Sequence, residues 1–263
     1  VLLITVPMNR SQLGVPADPP YEVVQVHPTG SDIGSTAYNL AMRAWLDGKT
    51  LRQRLEQATG GAVERVGVAW FSAGHGAIKA ILGGDTQPSD AQAWLCLDGL
   101  YGSNEFAVRL AHAAAGNHTS LMATASTSTP GHYDHSLDRW RDAVAKASIP
   151  AVPPSAATQW GLPEPDELWG ANGCLVAGYE DLGHHQQVPA VWAAMLRWWD
   201  AARVHEPAPP SPPSTPGVPM DENHNVSPWM ILGLAGVGAV FGWMVQRVLN
   251  PRTRTGHDEQ RRT

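Results

Sequence analysis

Short apolar runs alternate with amphipathic segments along residues 1–202. Apolar runs of about four to eight residues are typical of buried strands, and apolar residues that recur every three or four positions are typical of helices. Strands are predicted at residues 1–6, 21–27, 93–98, 119–126 and 173–178. Helices are predicted at residues 32–59, with a break near Gly48, and at 106–115, 136–146 and 188–202. This alternation predicts an α/β fold with a mostly parallel, doubly wound sheet covered on both faces.

Residues 65–82 combine a strand pattern, a serine and a helix pattern without a spacer. This order predicts a strand, a sharp turn at Ser72 and a helix. Small residues around such a turn let the helix pack close to the strand, and they follow the serine at Ala73, Gly74, Gly76 and Ala77. Upstream the pattern departs from G-x-S-x-G, because the position two before the serine holds Trp70 rather than a small residue.

Residues 149–170 show no regular pattern and contain several prolines. We expect an irregular insertion that acts as a cap or a loop near the functional site. Its tryptophans, Trp160 and Trp169, together with Trp70, predict apolar or sugar-like surfaces there.

The composition changes after residue 205. Residues 207–219 contain seven prolines, which predicts an extended spacer. Residues 229–245 form an unbroken apolar run of 17 residues, about the length needed to span a bilayer. The alternative is a glycine-rich helix that docks on the globular body. The predicted divisions are a domain at 1–205, a Pro-rich linker at 206–227, a transmembrane helix at 228–249 and a basic tail at 250–263.

Charge and cysteine content narrow the function classes. The formal charge is -6, although residues 247–263 hold five arginines against only two acidic residues. The rest of the chain is therefore strongly acidic, which argues against a nucleic-acid partner. Cys96 and Cys174 each fall inside an apolar run, so we expect two buried free thiols.

The predicted strand ends supply partners for Ser72 in the order Ser, Asp, His. A serine hydroxyl becomes a good nucleophile when a histidine takes its proton and an acid orients that histidine. Asp98 ends one predicted strand, with Asp134 as the reserve acid. His184 or His185 follows the last predicted strand, and the neighbouring Gly183 and Gln187 favour His184.

Stabilisation of an oxyanion requires backbone N–H groups beside the serine. We expect these from Ala73 and from Met8 or Asn9, in the loop after the first strand, where Pro7 cannot donate. His75 follows the serine too closely to reach its hydroxyl, so a lining or packing role is expected.

Three segments carry a resemblance to a known family. Phe-Ser-Ala-Gly-His-Gly-Ala-Ile at 71–78, Leu-Asp-Gly-Leu-Tyr at 97–101 and the segment 178–185 resemble the α/β-hydrolase superfamily, particularly bacterial serine-hydrolase-like proteins. The resemblance covers roughly residues 1–202. It implies hydrolysis of a small-molecule or acyl carboxylic ester, less often an amide, through an acyl-enzyme and without a cofactor. With the predicted transmembrane helix, it describes a single-pass membrane-tethered serine esterase, with the side of the catalytic domain open.

Two alternative functions compete with the esterase. A metal-dependent hydrolase would draw its ligands from His132, Asp134, His135 and the pair His184 and His185. A non-catalytic binding module could instead use the same fold on a membrane.

Overall fold

The computed structural model describes residues 1–5, 21–29, 34–101, 104–127, 136–171 and 173–201. The chain divides into two units, Val1–Ser211 and Pro212–Thr263, and every described residue belongs to the first. The predicted linker, transmembrane helix and basic tail therefore lie outside the described residues. Among the described helices, none is long and apolar enough to cross a membrane.

In the part of the chain that the structure describes, seven strands form one sheet. They are β1 (Leu2–Thr5), β2 (Val23–Gln25), β3 (Gly67–Phe71), β4 (Ala93–Leu97), β5 (Ser120–Ser126), β6 (Glu167–Ala171) and β7 (Cys174–Tyr179). The order across the sheet is β2-β1-β3-β4-β5-β7-β6. Neighbouring strands are parallel except for the edge pair β6 and β7, which is antiparallel. The predicted α/β class and mostly parallel sheet are confirmed.

The strand pattern follows from burial on both faces. Every residue of β3, β4 and β7 is buried, as expected for the central strands of a parallel sheet. Cys96 on β4 and Cys174 on β7 are buried and free, which agrees with the sequence prediction. Burial raises the pKa of the Cys174 thiol to about 12, so this thiol stays protonated and behaves as an apolar group.

Among the described residues, six α-helices cover the sheet. They are α1 (Ser35–Leu46), α2 (Leu51–Thr59), α3 (His75–Leu82), α4 (Glu105–Ala115), α5 (Ser136–Lys146) and α6 (His184–Ala201). Helices α1 to α5 pack into the core on one face. Helix α6 and the 3₁₀ segment Pro154–Trp160 pack into the core on the other. The sheet is therefore covered on both faces, as the alternating pattern predicts.

The predicted break near Gly48 is confirmed. Asp47 and Gly48 both have left-handed backbone angles, with φ of 50° and 72°, and this ends α1. Thr50 then starts α2 with a capping box, because its side chain accepts from the Gln53 backbone N–H and the Gln53 side chain accepts from the Thr50 N–H.

Two sequence predictions are wrong. Residues 149–170 are not an irregular insertion, because they contain the 3₁₀ segment and most of β6, which pairs with β7. Helix α6 begins at His184 rather than near residue 188, so the two histidines open the helix instead of lying in a loop.

Candidate active site

Ser72 lies on a sharp turn between β3 and α3. The strand ends at Phe71, one 3₁₀ turn covers Ser72–Gly74, and α3 begins at His75. Ser72 has a φ of 52°, a left-handed conformation that is uncommon for a residue with a side chain. The side chain is only partly buried. The turn therefore presents a reachable hydroxyl on a strained backbone, as a nucleophile elbow does.

Two glycines after the serine allow close approach of the backbone. A Cβ at Gly74 would lie 1.8 Å from the carbonyl oxygen of Thr5 at the end of β1. A Cβ at Gly76 would lie 1.8 Å from the carbonyl oxygen of Ser35 in α1. No side chain fits at either position, so the smallness that the sequence shows after Ser72 is a packing requirement.

Trp70 fits before the serine because Gly99 stands opposite. The Trp70 side chain is fully buried, and its Nε1–H donates to the Gly99 carbonyl at 2.8 Å. A Cβ at Gly99 would lie 2.5 Å from Trp70 Cδ1. The large Trp70 side chain therefore occupies space that is available only because residue 99 is a glycine. Because Trp70 is fully buried, it does not form the predicted substrate surface.

Asp98 follows β4 directly and is fully buried. Its Oδ1 accepts the Ser126 backbone N–H at 2.9 Å, and its Oδ2 accepts the Ser126 hydroxyl at 2.7 Å. Oδ2 also lies 2.7 Å from His184 Nδ1. Ser126 is the last residue of β5, the strand that pairs with β4. Sequence reasoning missed Ser126 because a serine at a strand end carries no distinctive pattern. These bonds satisfy a buried carboxylate that would otherwise be costly.

His184 is the first residue of α6 and is buried against Phe71 at the end of β3. Its ring stacks on Phe71 with a centroid separation of 4.5 Å and an interplanar angle of 19°. A carboxylate accepts hydrogen bonds, so the Asp98 contact places the proton on Nδ1 and leaves Nε2 as the basic nitrogen. His185 is exposed, and its ring meets Phe71 edge-on. Of the two histidines, the structure brings His184 to Asp98.

Tyr101 completes the cluster, and sequence reasoning assigned it no role. Its hydroxyl donates to the Asp98 carbonyl at 2.9 Å and lies 2.9 Å from His184 Nδ1. Burial, with a smaller contribution from the Asp98 charge, raises the pKa of Tyr101, so its hydroxyl stays neutral. Among the described residues, Ser72 Oγ makes no direct hydrogen bond to His184, and such bonds often tighten only when substrate binds.

His75 lies under the turn that carries Ser72. It is buried, its Nδ1 lies 3.2 Å from the Ser72 carbonyl oxygen, and its ring meets Tyr101 edge-on. Burial lowers the pKa of His75 to about 4. His75 is therefore a neutral packing residue near pH 7.

Several predicted site residues fall outside the described residues. These are Met8, Asn9, His132, Asp134 and His135. Ala73, whose N–H is the other predicted oxyanion donor, lies in the turn directly after Ser72 and is partly exposed. Within the described part of the chain, no group of three His, Cys, Asp or Glu residues is placed to hold a metal ion.

A separate cavity of about 310 Å³ lies at the opposite end of the sheet. It is bounded by Ser120 and Cys174, at the amino ends of β5 and β7, and by Trp160 and Trp198. The prediction that Trp160 contributes to the site at Ser72 is therefore wrong. The other tryptophan of this segment, Trp169, lies within β6.

Comparison of the chain with protein-family models, curated proteins and solved structures found no match. The geometry around Ser72, Asp98 and His184 is therefore the basis for inferring a function.

Proposed function

We propose that this protein is a serine hydrolase of the α/β-hydrolase type, which cleaves a carboxylic ester through an acyl-enzyme. The observation that carries the proposal is the 2.7 Å contact between His184 Nδ1 and Asp98 Oδ2, beside a serine on a left-handed turn. This pairing orients the imidazole and leaves Nε2 to accept the serine proton.

The strand arrangement supports the same proposal. The serine, the aspartate and the histidine follow β3, β4 and β7, all parallel strands, so they meet at one edge of the sheet. Their chain order, Ser, Asp, His, is the order of α/β-hydrolases. In the commoner arrangement the acid follows the next strand, which here is β5. That position holds Ser126, which hydrogen-bonds Asp98 instead of replacing it.

The proposed reaction has two halves. Ser72 Oγ attacks the ester carbonyl carbon while His184 Nε2 takes the hydroxyl proton. The backbone N–H of Ala73, with that of Met8 or Asn9, stabilises the negative oxygen of the tetrahedral intermediate. The intermediate collapses, the C–O bond to the alcohol breaks, and His184 returns the proton to the leaving alcohol. Water then repeats these steps on the acyl-enzyme, which releases the acid and restores Ser72.

The test is labelling with a fluorophosphonate, together with hydrolysis of a short p-nitrophenyl ester. We expect Ser72→Ala to lose labelling and to lower kcat/KM by about 10⁴-fold or more, because it deletes the nucleophile. The thermal midpoint should change little, since the hydroxyl is partly exposed. Ser120→Ala, at the opposite end of the sheet, is the matched control and should keep both activities. Full labelling of Ser72→Ala would contradict the serine mechanism.

A non-catalytic binding module is the second candidate. The specific observation in its favour is that Ser72 Oγ makes no direct hydrogen bond to His184 among the described residues. A well-folded wild-type chain that neither takes the label nor hydrolyses the ester would favour this candidate over the hydrolase.

We also propose that the apolar run at 229–245 tethers the domain to a membrane. The sequence supports this by its length and by the proline-rich spacer before it. The full chain should resist carbonate extraction from membranes, whereas a chain ending at Glu206 should be soluble and equally active on a small ester. Aggregation or loss of activity in the shortened chain would instead indicate that the run packs on the domain.

A further inference from the structure

The Tyr101 hydroxyl lies where the candidate acid and the candidate base meet. It donates its single proton to the Asp98 carbonyl at 2.9 Å. Its oxygen lies 2.9 Å from His184 Nδ1 and 3.4 Å from Nε2. Because the backbone carbonyl of Asp98 takes the proton, the lone pairs of the Tyr101 oxygen face the imidazole. An oxygen in line with the Nδ1–H bond would lie much farther from Nε2, so the Tyr101 oxygen lies against the ring and the Nδ1–H stays with the Asp98 carboxylate.

We propose that Tyr101 is a positioning residue that stabilises the charged form of His184 while Ser72 attacks. The inference rests on the serine hydrolase proposed above. In the proposed mechanism, His184 becomes an imidazolium when it takes the serine proton. The electron-rich Tyr101 oxygen beside Nδ1 attracts the charged ring more strongly than the neutral ring. An interaction that is stronger in the transition state than in the bound substrate raises kcat rather than lowering KM.

The surroundings of Tyr101 hold its oxygen in place before the reaction. Tyr101 is 8 % exposed, and His75 packs edge-on against its ring at a centroid distance of 5.4 Å. The bond to the Asp98 carbonyl fixes the hydroxyl at the other end. A dipole that is already oriented needs no reorganisation when charge develops, which is the condition for electrostatic catalysis. The hydroxyl also stays neutral, so it does not compete with His184 as a base.

The experiment compares Tyr101→Phe with Tyr179→Phe in the full chain. Tyr179 is a matched control because it is buried and its hydroxyl also donates to a backbone carbonyl, that of Pro163 at 3.0 Å. Both variants keep the ring and lose one hydroxyl, so their thermal midpoints should fall by similar amounts. On the short ester, Tyr101→Phe should lower kcat about 10- to 100-fold and leave KM within about twofold. Tyr179→Phe should leave both constants unchanged.

The outcomes separate this inference from the proposed function. If the unmodified chain is labelled at Ser72 but the two tyrosine variants have the same kcat, the hydrolase stands and the role of Tyr101 is overturned. A raised KM with unchanged kcat in Tyr101→Phe also overturns it, because that result shows a contribution to substrate binding. If the unmodified chain is not labelled at Ser72, the proposed function fails and the inference fails with it.

Discussion

The two ends of the sheet are built in different ways. At the carboxyl end, Asp98, Ser126 and His184 are buried polar residues joined by hydrogen bonds of 2.7 to 2.9 Å. At the amino end, β5 and β7 border an apolar cavity of about 310 Å³. A buried polar network is stable only when every member is satisfied, whereas an apolar cavity tolerates changes of shape. Substitutions at the carboxyl end should therefore have larger effects than substitutions at the amino end.

The largest expected effect is the loss of activity when His184, rather than His185, is substituted. His184→Gln removes the ring that contacts Asp98, so we expect kcat/KM for the short ester to fall by about 10⁴-fold. His185→Gln changes the exposed neighbour and should stay within about threefold of the unmodified chain. Steady-state kinetics of the two variants measure the difference. Equal and mild losses would show that the base lies elsewhere.

An intermediate effect is expected at Gly99. Gly99→Ala places a Cβ 2.5 Å from Trp70 Cδ1, so we expect a loss of about 1 to 3 kcal/mol in the free energy of unfolding, measured with urea. Gly84→Ala is the control, because the nearest atoms to its Cβ would lie 3.8 Å away.

A double-mutant cycle sharpens this prediction. Trp70→Leu removes the indole that Gly99 accommodates, so combining it with Gly99→Ala should cost less than the sum of the two single changes, by at least about 0.5 kcal/mol. Strict additivity would show that the tryptophan and the glycine do not compensate each other.

The smallest effect is expected at the amino end. Ala171 lies on β6 and borders the cavity, so Ala171→Val fills part of the empty volume with a side chain that suits a strand. We expect a gain of about 0.5 to 1 kcal/mol in the free energy of unfolding and unchanged ester kinetics. A fall in kcat would show that the two ends of the sheet are coupled.

The sequence alone determined the order of the elements other than β6, and where the candidate residues stand along the chain. Apolar periodicity is a local property, so it revealed the strands and helices around Ser72 and Asp98 and placed a histidine pair after β7. The carboxyl ends of parallel strands meet at one edge, so these positions also predicted a shared site. Strand β6 escaped prediction because its short segment around Trp169 and Gly170 is stabilised by pairing with β7 rather than by its own pattern.

Only the tertiary structure decided which residues touch. The start of α6 at His184 buries that histidine beside Asp98 and leaves His185 exposed, a choice that depends on packing against Phe71. Likewise, Trp70 is compatible with the turn only because Gly99 lies opposite, 29 residues away in the chain. Ser126 reaches Asp98 across the register of β4 and β5. Such contacts join residues that are distant in sequence, and no local pattern records them, because side-chain partners depend on how the strands and helices pack together.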